Sequence, residues 1–171
     1  MLISRLMERI EARADSLTQA ALQDVLTNEH TSSFRRISVS ELERRIAALY
    51  LNLGKWVGNP QEEEVREEYE AWGRTRFHQR IPLSEILYCL IIAKAHLRRF
   101  IRDYGLISFS GDRVTPDELV PVELYGIQEI NYMIGEFFDR AFYHLARGYE
   151  VAAQEVLPLK WKKRVDRLAA E

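Results

Sequence analysis

Cysteine occurs only once in the 171 residues, at Cys89. A single thiol rules out an internal disulfide and a cysteine-rich zinc site, and it suits a reducing compartment. Long apolar runs are missing too. The longest, Ile86 to Ala93, falls far short of the ~20 residues a membrane-spanning helix needs. The N-terminus, Met1-Leu2-Ile3-Ser4-Arg5, meets charge early and has no apolar core or small-residue cleavage site, so it does not read as a signal peptide. Nor is there an excess of one charge. With 24 basic and 26 acidic residues the net charge is −2, which gives no electrostatic case for nucleic acid or an anionic membrane. These absences lead to the expectation of a cytoplasmic protein that neither inserts in a membrane nor binds nucleic acid.

The motifs of the common enzyme classes are missing together. No Gly-x-Ser-x-Gly elbow, P-loop, HExxH or glycine-rich dinucleotide turn occurs. No internal repeat or low-complexity linker divides the chain. At 47% hydrophobic it can bury one core of ordinary domain size.

What is present is helical periodicity. Ile3, Met7, Ile10, Ala14, Leu17, Ala21 and Val25 recur at spacings of three and four, which predicts one amphipathic helix. Thr27 to Ser38 is polar and reads as a loop. Ser40 and Glu43 form a capping-box pattern ahead of the stripe Leu42, Ile46, Leu49, Leu53 and Trp56, and Gly58-Asn59-Pro60 ends that helix. A third helix starts at about Gln61, with Glu62, Glu63, Glu64, Glu67 and Glu68 first and Arg74, Arg76 and Arg80 last, the order a helix dipole favours. Adjacent glutamates point around a helix, so this run reads as a solvated start and not as a metal site, which would need Glu-x-x-His pairs on facing helices. Ile81-Pro82 interrupts, Ser84 is a candidate cap, and a fourth helix runs to Tyr104 with Gly105 as its stop.

Ile107 to Pro116 is the one stretch with strand character and reads as a loop or short hairpin. From Asp117 a helical pattern runs to about Val156, with a bend expected at Pro121, and Pro158 sets off a tail in which Trp161, Val165 and Leu168 share a face. The fold expected is all-α: a single helical bundle over 1–157 with a long C-terminal helix, and a helical extension over 158–171 directed toward an output domain or a dimer partner.

Four histidines raise a metal or haem reading. His30 and His78 fall near loops or helix ends and should be solvated. His96, with Cys89 two turns earlier, and His144, on the stripe of Phe137, Ala141 and Gly148, would meet if their helices packed together. His96, His144 and Cys89 are therefore the candidate haem or soft-metal ligands. The commoner state of such imidazoles is a hydrogen-bonded interior residue, and no cofactor or metal is expected. Cys89 lacks a neighbouring activator and should be a buried, inert thiol. Lys94, Arg98, Arg99 and Arg102 line one side of the fourth helix and read as a solvated face. In the last helix Glu136 and Arg140 have the spacing of an ion pair. Tyr132, Phe142, Tyr143 and Tyr149 lie outside its main apolar stripe, more aromatic area than a solvated face usually shows.

Two stretches carry a family resemblance. Phe77-His78-Gln79-Arg80-Ile81-Pro82-Leu83-Ser84-Glu85-Ile86-Leu87 leads into a helix rich in Leu, Ile and Arg, and Phe137-Phe138-Asp139-Arg140-Ala141 precedes Gly148-Tyr149-Glu150. Over most of residues 38–156 the chain resembles the RsbRD-type N-terminal sensory domain, found ahead of histidine kinases and in stressosome co-antagonists of the RsbR group. The resemblance implies a non-enzymatic, usually dimeric helical input module whose last helix leads toward an output domain. It assigns no ligand residues. Unlike such proteins, the sequence ends at Glu171 without a kinase, PAS or STAS region, so the expectation is either a fragment of a longer protein or action by association.

The function expected is that of a sensory or regulatory input domain of a bacterial signalling protein, passing a packing or dimer-geometry change through its last helix. The alternative is a globin-like haem or small-molecule sensor. The expected dimer or signalling surface comprises Tyr132, Tyr143, Tyr149, Trp161, Val165 and Leu168.

Overall fold

The computed structural model describes residues 2–58, 62–105 and 120–168, with side chains over 6–57, 62–103 and 124–156. It is an all-α bundle with no strand among the described residues. Six α-helices occur in order: α1 (Leu2–Ala12), α2 (Ala14–Thr27), α3 (Val39–Gly58), α4 (Glu62–His78), α5 (Leu83–Gly105) and α6 (Val120–Leu168). A 3-10 segment, Glu29–Arg36, joins α2 to α3.

The Ile3 side chain lies outside the described residues, and the rest of the first apolar stripe is buried as its period requires, from Met7 and Ile10 to Ala21 and Val25. It does so on two helices, not one. The backbone departs from helical geometry at Arg13 (φ −116°, ψ 11°), which re-aims the chain. A single straight helix would keep one heading over the whole stripe, whereas α1 rests mainly on α3 and α2 on both α3 and α5. The polar stretch expected to be a loop is largely the 3-10 segment. Asn28 caps it by accepting from the His30 amide at 3.0 Å, and Thr31 Oγ1 donates to the Val25 carbonyl at 2.7 Å. The segment also buries Phe34 completely.

Two helix starts differ from expectation by two residues each. The Ser38 carbonyl, not that of Ser40, accepts the first bonds of α3, from the Glu41 and Leu42 amides. Pro82, not Ser84, does the same for α5, accepting from Glu85 and Ile86. In each case the residue named from sequence stands inside the first turn. Position 61 and the Ile107–Pro116 segment lie outside the described residues. So do 117–119, which leaves the expected bend at Pro121 on the edge of what is described. Pro158 does not end the last helix: although proline forgoes one backbone bond, α6 continues to Leu168.

The end of α4 is a tight reversal. The Ile81 amide donates to the Arg76 carbonyl at 3.0 Å and the Arg80 amide to the Phe77 carbonyl at 2.9 Å, the paired bonds of a Schellman motif. Arg80 takes the left-handed position (φ 60°) that glycine usually fills.

The core is continuous and strongly aromatic at its centre. Trp56 of α3 stacks on Phe137 of α6 with centroids 5.4 Å apart, and Tyr69 and Trp72 of α4 close the cluster. The largest interhelical contact is α4 against α6. It is a crossing of backbones. A Cβ on Gly73 would lie 2.8 Å from the Tyr149 nitrogen and collide with the Leu145 carbonyl oxygen, and one on Gly148 would lie 2.6 Å from the Cα of Glu70. Only residues without a side chain fit there.

Candidate functional site

The three residues singled out as possible ligands do not converge. His96 turns toward α2, where Nε2 lies 3.2 Å from Asp24 Oδ2. His144 turns toward α4, with Nε2 2.9 Å from Glu62 Oε1. Cys89 sits in the core, where burial pushes its thiol up to about 12, with Arg76 nearby acting weakly the other way. That is an unreactive thiol, as the sequence implied. No group of three His, Cys, Asp or Glu side chains suited to a metal ion occurs among the described residues. His30 and His78 are exposed.

The glutamate run is not merely a solvated helix start. Glu64 accepts from Lys55 Nζ at 2.6 Å, Glu68 from Arg45 and Glu63 from Arg66. Glu62 receives both His144 and Arg140, the latter at 3.2 Å. Arg140 therefore does not pair with Glu136, which accepts from the Tyr132 hydroxyl at 3.0 Å. Sequence reasoning found the i,i+4 spacing but had no means of seeing that α4 offers a competing carboxylate.

His144 is the centre of this second cluster. It is almost fully buried, and its other ring nitrogen, Nδ1, has no hydrogen bond and lies 3.8 Å from Glu70 Oε1. An ionised carboxylate only accepts, so the proton in the Glu62 contact belongs to His144 Nε2. Its hydrogen bond, with the charge of Arg140 beside it, holds the Glu62 carboxyl below its ordinary value of 4.5. A depressed carboxylate stabilises the fold above its unfolded value and loses that contribution as pH falls through the folded one. The contact should thus be complete above about pH 4.5 and fade below it. Urea titrations across pH 3 to 6 should show Glu62→Gln with a shallower acid limb than wild type. Because the Glu62 side chain is half exposed, solvent screening keeps the effect small. Identical acid limbs would exclude the contact.

The opposite face of α6 is exposed. Tyr125, Tyr132 and Tyr143, spaced seven and eleven residues apart, fall on one line of the helix at 68%, 62% and 65% exposure. Glu129, Glu136 and Asp139 stand among them. Tyr149 does not belong to this surface. Its hydroxyl donates to the Ile81 carbonyl at 3.0 Å and its ring meets Phe77 edge-on at 5.2 Å, so it ties α6 to the turn after α4. Phe142 is likewise half-buried against the core, with Lys94 over its ring. The side chains of Trp161, Val165 and Leu168 lie outside the described residues. Tyr125 was not among the residues expected on this surface, although its spacing of seven from Tyr132 places it on the same line.

Next to this face runs α5, whose exposed line is Ile91, Ala95, Arg98 and Arg102. Lys94 crosses from α5 to α6, 3.7 Å from Asp139 and over the Phe138 ring. Of the basic residues read as a solvated face, Lys94 therefore borders the acidic, tyrosine-bearing one. No family model, curated protein or solved structure matches the chain.

Proposed function

We propose that the chain is a non-enzymatic input domain of a bacterial signalling protein, of the RsbRD type its sequence resembles, acting as a homodimer. In this reading α6 is the transmitting element. One side of it carries the bundle core and the His144–Glu62 contact, while the other presents tyrosines to a partner. The observation that carries the reading is this division of one continuous helix, which runs on to Leu168 past its last described buried residue, Ala152. A change in how α4 grips α6 then alters the surface offered on the far side. Such a device needs two packings of similar energy, biased by whatever binds.

Charge supports a second copy as the occupant of the α5–α6 face. A twofold axis between the two helices sets the basic line of α5 on the acidic line of its partner's α6, and the reverse. Gly135 supports it as well. A Cβ there would meet nothing within 4 Å among the described residues, so their packing gives no reason for glycine in mid-helix. A partner helix in close approach does.

Sedimentation of the wild-type chain at micromolar concentration should show a dimer. Tyr132→Asp with Tyr143→Asp should give a monomer of unchanged helicity, because both side chains are exposed and leave the core intact. A strict wild-type monomer rules out the homodimer. The haem alternative has its own test, since a Soret band in freshly purified protein would favour it over a haem-free input domain.

A further inference from the structure

A groove lies on another side of the bundle, between the α1–α2 junction and the C-terminal half of α5. Leu17 of α2 and Phe100 of α5 give it apolar walls, and Arg13, Ser16, His96 and Arg99 supply its polar groups. Its volume of about 230 Å³ is roughly that of eight waters, which suits a small molecule and not a chain segment.

The acids near it are already engaged. Asp103 also borders the groove, but it accepts from Arg102 Nε at 2.8 Å. Asp24, the neighbouring acid on α2, is taken by His96. Arg99 is exposed and makes no ion pair among the described residues. It thus faces a small cleft whose nearby acids have other partners, and Arg13 borders the same cleft from the helix junction. Arginine is the side chain best suited to hold a planar carboxylate, through two parallel N–H donors.

We propose that this groove binds a small organic carboxylate with an apolar or aromatic body. The carboxylate lies against Arg99 and Arg13 with the Ser16 hydroxyl as a further donor, and the body lies between Leu17 and Phe100. The ligand bridges the point where the first helical stripe breaks and the helix that borders the dimer face. Its place as an input rests on the function proposed above, whereas the binding chemistry does not.

Benzoate is the probe, and benzamide, of the same shape without the charge, is its control. Titrating labelled protein with benzoate should give saturable amide shifts confined to residues 13–20 and 96–103. Benzamide and inorganic phosphate should each bind at least about tenfold more weakly, the first lacking charge and the second lacking the apolar body. Arg99→Gln and Arg13→Gln should each weaken benzoate about tenfold with helicity unchanged. Absence of saturable shifts, equal binding of benzamide or phosphate, or indifference to both arginine variants overturns the proposal. Saturable binding at the groove with no change in sedimentation sustains the site and removes only its link to the input role.

Discussion

Gly148→Ala should be among the most damaging single substitutions in the chain, although it adds one methyl group to a helix. Alanine is worth up to about 1 kcal/mol more than glycine in a helix interior, so propensity alone forecasts stabilisation. The crossing with α4 reverses the sign. The added carbon would lie 2.6 Å from Glu70 Cα and 2.7 Å from its carbonyl carbon, against a normal separation of about 3.5–4 Å. The obstacle is backbone in the middle of a helix, which no rotamer change can clear. The two helices must part by about 1 Å along the largest interface of the bundle, loosening the Trp56–Phe137–Tyr69 cluster behind it. Overpacking of this kind costs about 1–3 kcal/mol or more, and the unyielding backbone places it at the upper end. At about 2–4 °C per kcal/mol for a chain of this size, the midpoint of thermal unfolding should fall by roughly 10 °C. Gly73→Ala should behave alike, since it meets Leu145 and Tyr149 from the other side of the same crossing.

Gly135→Ala supplies the contrast within the same helix. With nothing among the described residues within 4 Å of the new methyl group, the monomer should gain about 0.4–1 kcal/mol from the lowered entropy of its unfolded chain. If the dimer forms on the α5–α6 face, the same substitution should weaken association while raising monomer stability. A fall in stability at Gly135 to match that at Gly148 would mean that propensity and packing have been misjudged at both.

The pattern of legibility follows from what periodicity can carry. The spacing from Ile3 to Val25 announced a buried stripe because burial repeats every three to four residues, but the same signal cannot say whether the helix bends at Arg13. Helix starts were off by two residues because Ser40 and Ser84 are plausible caps by residue type, and only backbone geometry picks Ser38 and Pro82 instead. Interhelical partners were the least legible. Glu136 and Arg140 have the spacing of a pair, yet Arg140 bonds Glu62, 78 positions away in sequence. His96 and His144 were placed on inward-leaning faces correctly, but their convergence depended on which helices are neighbours, and their partners are α2 and α4 respectively. Arg76 was read as one of the basic residues that close α4. Its spacing was the available signal: position 76 lies four residues past Trp72 and seven past Tyr69, on the buried line of α4, whereas Arg74 lies off that line and reaches Glu155 at the surface.

Arg76→Ala should cost about 3 kcal/mol, the lower part of the range for breaking a buried ion pair. Arg76 is the largest fully buried side chain among the described residues, at 1% exposure. Its Nη1 donates to Glu41 Oε1 at 2.7 Å and to Gln79 Oε1, and its guanidinium carbon lies 5.7 Å from the centre of the Phe34 ring. One side chain thus fastens the last turn of α4 to the first turn of α3 and to the 3-10 segment. Alanine leaves a void beneath Phe34 and deprives Glu41 of its partner, but Glu41 is about one-third exposed and regains water, which limits the loss. Methionine separates the two effects. Arg76→Met fills most of the volume without the charge, so it should cost less than alanine, by about 1–2 kcal/mol, if packing dominates. The acid limb gives a second readout. Although partial burial disfavours its charged form, the hydrogen bond and charge of Arg76 prevail and hold the Glu41 carboxyl below 4.5. That stabilisation is present above about pH 4.5 and is lost as pH falls through the folded value. Both variants should therefore flatten the acid limb equally while differing in stability at pH 7. Equal stabilities of the alanine and methionine variants would assign the whole effect to the ion pair, and a wild-type acid limb in either would exclude Glu41 as its partner.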